Sequence, residues 1–144
     1  MPAERAAIGG GRNVEGTRWL TLTVAVTGLL WVPYILDRIM VRGTMGALAN
    51  PSPSDAPPST WAQRMMAAHV NAVENLVVFA PLALTAQALN VHSTTTAFAC
   101  ALYFCCRLAH AAVYSASIAV LRTLAFAGGW VAQAILVLAI AGMM

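Results

Sequence analysis

The sequence predicts an all-α protein that crosses a membrane as a four-helix, up-down bundle. Hydrophobic residues fill 60% of its 144 positions and charged residues only 9%, where a soluble domain carries about 25% charged residues. Mean hydropathy is +0.73. Apolar runs follow one another at about 19–39, 61–89, 94–116 and 121–143. Each matches or exceeds the roughly 20 helical residues that cross ~30 Å of hydrocarbon. Within lipid every backbone polar group must be satisfied by the chain itself, which selects helices. The polar residues are too few to clothe a soluble 15.1 kDa sphere. A soluble enzyme and a disordered chain are therefore excluded. The net charge of +3 is too small and too scattered for a nucleic-acid footprint.

Residues 1–16 read as a flexible tail, because Gly9, Gly10 and Gly11 interrupt any helix there. Residues 17–144 read as one membrane domain. Ala47-Leu48-Ala49 resembles a signal-peptide cleavage site. The preceding apolar run is too long for such a leader, and Asp37, Arg38 and Arg42 separate it from the site, so the first span is read as retained. Residues 42–59, rich in Pro and Ser, form the first loop. Ser59 or Thr60 then caps the second span. Pro33 and Pro81 are expected to kink the first two spans. The loops near Asn90–Ser93 and Ser115–Val120 are short and make successive helices antiparallel neighbours. Gly128-Gly129 and the many alanines permit close helix contact.

Arg38, Arg42, Arg64 and Arg122 fall on the side of loops one and three, against Arg5, Arg12 and Arg18 on the other. The positive-inside rule then places loops one and three in the cytoplasm and both termini outside, as in a bacterial inner membrane.

Ionisable groups inside spans cost ~3 kcal/mol or more and need individual reasons. At 100° per residue Arg64, Asn71 and Asn75 share one line of the second span, with Glu74 beside it and His69 well away. Arg107, His110 and Tyr114 share one face of the third span. Glu74 and Arg107 lie at similar depth and are expected to form an ion pair inside the bundle. That pair would fix helix register or serve a site. Arg38, Arg64, Tyr114 and Arg122 approach one membrane face, as a cluster or as separate interfacial anchors. Cys100, Cys105 and Cys106 form no CxxC pair and read as small buried residues. The three His lack metal-ligand spacing, so no metal is expected.

Two stretches carry a resemblance. Arg64…His69-Val70-Asn71-Ala72-Val73-Glu74-Asn75-Leu76, with Phe79 and Pro81, resembles the second-helix motif of the membrane-associated proteins in eicosanoid and glutathione metabolism (MAPEG). Arg107-Leu108-Ala109-His110…Tyr114, then Leu121-Arg122-Thr123-Leu124, resembles that family's third-helix and fourth-helix motifs. The resemblance spans about residues 18–143 and is greatest to small bacterial members, whose activities are diverse. It implies a homotrimer of four-helix protomers, with glutathione held as co-substrate between subunits and open to the cytoplasm. It places Arg38, Asn71, Glu74, His110, Tyr114 and Arg122 at glutathione-contacting positions. Arg122 and Thr123 stand where catalytic members have an Arg, often followed by Ser, near the sulfur. Catalytic members also often carry Arg where this chain has Ala67 and Val70.

Those residue types suit the ligand. Arg38 and Arg122 can pair with its carboxylates, and Glu74 can receive its ammonium. A thiol of pKa near 8.5 is only a few per cent ionised at pH 7. Lowering that pKa by two units takes about 2.7 kcal/mol of preference for the thiolate, which one Arg and a hydroxyl in a dry site can supply. The expected function is a glutathione-dependent transferase or peroxidase acting on lipophilic electrophiles or hydroperoxides in the bilayer. The alternative is a non-catalytic protein of the same fold that binds lipid or serves a larger membrane complex. A transporter fits least, because no repeat or polar path is visible.

Overall fold

The computed structural model describes the backbone of residues 2–143 and the side chains of residues 15–143. It is helical throughout, in the order α1 (Pro2–Leu29), α2 (Trp31–Leu48), α3 (Thr60–Ala88), α4 (Thr94–Ser115) and α5 (Ala119–Ile140). Helices α1 and α2 together make the first span, Glu15–Leu48, and α3, α4 and α5 make the other three. All four are long and apolar enough to cross a membrane. The backbone is helical from Pro2, so Gly9, Gly10 and Gly11 do not interrupt the helix as expected; the side chains of residues 1–14 lie outside the described ones.

The break in the first span has the cause that the sequence supplies. Pro33 lacks an N–H, so the carbonyl of Leu29 loses its helical donor. The chain turns at Leu30, whose N–H bonds Thr27 O at 3.3 Å instead. Pro81 behaves differently and lies within one continuous helix, α3. The first span also outruns its expected end. Helix persists to Leu48, and the loop is residues 49–59 rather than 42–59. No proline occurs until Pro51, and the one interruption is Gly43, at φ 71° and ψ 168°.

Helix α4 lies at the centre, against α1, α3 and α5, while α2 packs on α3. The core between them is small and tightly filled. Phe79 and Tyr103 stack at 3.7 Å between ring centroids, and Leu20, Ala99, Cys100, Ala132 and Leu136 surround them. Helices α4 and α5 approach closely at Gly128, where a Cβ would stand 2.6 Å from the sulfur of Cys106. The cysteines are all free; Cys100 is buried and Cys106 half-buried, but Cys105 is exposed on the outer face, contrary to the expectation of burial. Neighbours on a helix are about 100° apart, so a pair at 105 and 106 cannot both face inward.

Helix ends are satisfied by short-range devices. Ser93 and Thr96 form a reciprocal capping box at the start of α4. Ser59 occupies the N-cap position of α3, but its side chain makes no cap. Its backbone N–H is taken by Asp37 Oδ2 of α2 at 2.9 Å. Arg64 Nε reaches the carbonyl of Ser115, at the end of α4, at 2.9 Å.

Candidate functional site

The polar line of α3 turns towards α4 and α5. Asn71 Oδ1 accepts from Arg107 Nη1 at 3.3 Å. Asn75 Nδ2 donates back to Asn71 O at 2.8 Å, and Gln133 Nε2 of α5 donates to Asn75 O at 3.2 Å. Three helices are thus joined at mid-depth by amides and one guanidinium. Interhelical amide bonds of this type are a recurrent adhesive in apolar bundles. Gln133 was legible as the lone amide of an apolar run, a signal that the motif reading passed over.

This rotation of α3 overturns the expected Glu74–Arg107 ion pair. With Asn71 and Asn75 facing inward, Glu74 faces outward and is exposed. Among the described residues its carboxylate makes no ion pair or hydrogen bond, and the only salt bridge is Arg42–Asp55. Arg107 is instead 6% exposed, and its Nε and Nη2, like the hydroxyl of Tyr103, are buried without a partner. The face of Phe126 lies 5.7 Å from its guanidinium carbon, a contact that favours a desolvated cation.

A second group forms where α4 ends and α5 begins. The guanidinium of Arg122 sits over the ring of Tyr114 at 4.7 Å. Tyr114 meets His110 edge-on, with centroids 5.5 Å apart. Arg64 joins them through Ser115 O. So Arg64, Tyr114 and Arg122 converge at this end as expected, and Arg38 does not. Arg38 Nη2 turns to Ala49 O in the loop at 3.5 Å, with its Nε buried and unpartnered. His110 is itself buried. Thr123 Oγ1 donates to Ala119 O of its own helix at 3.2 Å. His69, far from the polar line, bonds the hydroxyl of Tyr34 at 3.0 Å and ties α2 to α3.

Of the six expected ligand positions, then, two keep their charged groups free. Among the described residues neither the guanidinium N–H groups of Arg122 nor the carboxylate of Glu74 makes a hydrogen bond, and no polar contact joins the two. One turn beyond Glu74, Val78 begins an apolar groove of about 380 Å³ between α3 and α5, lined also by Leu82, Trp130, Val137 and Leu138. No three His, Cys, Asp or Glu side chains cluster among the described residues.

Comparison with known proteins agrees with the motif reading. A family model, that of the MAPEG family, matches residues 19–142, nearly the whole chain. The chain belongs to the MAPEG family. No curated protein and no solved structure matches it. As a MAPEG protein with four apolar helices it is a multi-pass integral membrane protein.

Proposed function

We propose that this MAPEG protein binds glutathione and joins its thiolate sulfur to lipophilic electrophiles, the leaving group departing as an anion, or reduces lipophilic hydroperoxides to alcohol and water while two glutathiones are oxidised to the disulfide. The observation that carries this reading is that, of the family-matched ligand positions, Glu74 and Arg122 keep opposite charges whose side-chain groups make no hydrogen bond or ion pair among the described residues. Arg122 presents unused donors at one membrane face, braced by the Tyr114 ring. Glu74 presents an unused carboxylate on the outer face of α3. A lone carboxylate facing lipid is costly, so a subunit and a ligand covering that face relieve it. Glutathione offers an ammonium for Glu74 and an anion for Arg122. Its thiolate is the nucleophile, and an Arg beside it favours the ionised form. The homotrimer that the family resemblance implies would bring Glu74 of one protomer and Arg122 of another to one crevice. The groove beginning at Val78 suits the apolar co-substrate. The bacterial inner membrane, with loops one and three in the cytoplasm, is the compartment we infer.

A second reading has its own observation. Val70 is 59% exposed beside Glu74, and with Ala67 it leaves that flank without the further cations of catalytic members. This favours a lipid-binding or accessory role.

Calorimetry of glutathione binding to the detergent-purified protein decides between them. The transferase reading expects binding below about 1 mM, which is ~4 kcal/mol, and its loss in Arg122→Ala. No heat at several millimolar from folded protein would overturn it and leave the accessory role.

A further inference from the structure

We propose that the end of α2, from Thr44 to Leu48, is a short apolar foot that rests in the headgroup layer of the bilayer at the loop-one face. The first span has 34 residues from Glu15 to Leu48, roughly 51 Å if straight, against ~30 Å of hydrocarbon. The surplus lies at the α2 end. Asp37 is level with the start of α3, because its carboxylate holds Ser59 N–H. Beyond Asp37 the helix therefore rises out of the bundle.

It does not keep rising. Gly43 breaks it at φ 71°, a conformation that a Cβ disfavours. Arg38 Nη2 contacts Ala49 O at 3.5 Å, although a straight helix would carry Ala49 about 16 Å further along, out of an arginine's reach. The segment has folded back. Gly46 makes this possible, since a Cβ there would lie 3.1 Å from Arg42 Cβ. The loop that follows is tied to the helix before the break by Arg42, which holds Asp55 Oδ2 at 2.7 Å and Ala56 O at 2.8 Å.

The turn at Gly43 keeps Thr44–Leu48 near the end of the bundle, with Ala49 within reach of the Arg38 side chain. There Met45 is 80% and Leu48 77% exposed, with Met40 at 75% on the emerging helix. Met40 shares one face of α2 with Leu36, four residues earlier and 54% exposed, on the lipid-facing surface of the span. Trp61, partly exposed at the second residue of α3, marks the same interface. A short apolar face flanked by Arg, continuous with a lipid-facing surface, fits the boundary between headgroups and acyl chains.

The test uses the full chain in liposomes. Cysteines placed by Met45→Cys or Leu48→Cys are compared with Ser54→Cys, in the exposed loop, for reaction with a charged, membrane-impermeant maleimide. The wild type is separately photolabelled with a lipid-dissolved diazirine and mapped by mass spectrometry. Burial of one such side chain predicts labelling at 45 and 48 at least about tenfold slower than at 54, with photolabel on residues 44–48. Equal maleimide rates would overturn the proposal by placing the foot in water. Slow rates without photolabel would overturn it too, by showing that protein covers the foot.

Discussion

Asp37 caps a helix other than its own. Its Oδ2 accepts the backbone N–H of Ser59, at the start of α3, across 2.9 Å, and the side chain is 2% exposed. A carboxylate there also meets the positive end of the α3 dipole. Replacing Asp37 by Ala removes both and should cost about 1–2 kcal/mol, the usual range for a lost cap. Asp37→Asn keeps an acceptor oxygen and should cost less. Thermal unfolding midpoints in detergent, ordered wild type above Asn above Ala, check this; equal midpoints for Asn and Ala would reject it.

Gly128 is where α5 meets Cys106. Gly128→Ala forces a methyl to 2.6 Å from that sulfur, and overpacking of this kind costs about 1–3 kcal/mol. Shortening the opposing side chain with Cys106→Ala should recover most of the loss. A double-mutant cycle reads the coupling directly, and additive losses would mean the two helices do not touch there.

The Asn71–Arg107 bond predicts an asymmetry. Asn71→Ala leaves a buried guanidinium with none of its amide support, which should destabilise by about 1–3 kcal/mol. Arg107→Met removes the charge itself and should be far milder or even stabilising, because an apolar side chain needs no partner in the bundle. Denaturation of the two variants side by side would show it; an Arg107→Met variant less stable than Asn71→Ala would contradict it.

Arg42 straps the loop through Asp55 and Ala56 O. The pair is partly exposed, so its contribution to global stability should be small, at most about 1 kcal/mol. Local opening should respond more. Arg42→Met is expected to leave the unfolding midpoint nearly unchanged and to speed protease cleavage within residues 49–59. A cleavage rate equal to wild type would show that the prolines alone hold the loop.

Why some of this was legible follows from particular residues. The spans are written in apolar runs whose length has one physical use, and Pro33 marks its own break. The convergence of Arg64, Tyr114 and Arg122 follows from helix ends that must share one membrane face. The pairing of Glu74 was misjudged for a geometric reason. A helical wheel places Glu74 next to the Asn71–Asn75 line but leaves the rotation of α3 about its axis undetermined. The amides of Asn71, held by Arg107, and of Gln133 fix that rotation, and it turns Glu74 outward. Asp37 went unrecognised as a cap because its partner is a backbone N–H on another helix, which no sequence spacing announces. The fold-back after Gly43 depends on a φ that glycine permits without requiring.

The Asn71–Arg107 contact also bears on how the protein is made. A span with a charge at its centre resists leaving the translocation machinery for lipid. Asn71 precedes Arg107 along the chain, so α3 and its amides are already made when α4 arrives. The arginine can enter against a waiting acceptor, and the two helices enter as a hairpin. Gln133 comes last and closes the set. The order of synthesis runs from acceptor to cation to lock, so the polar neighbour of α4 is already in the chain when α4 is made.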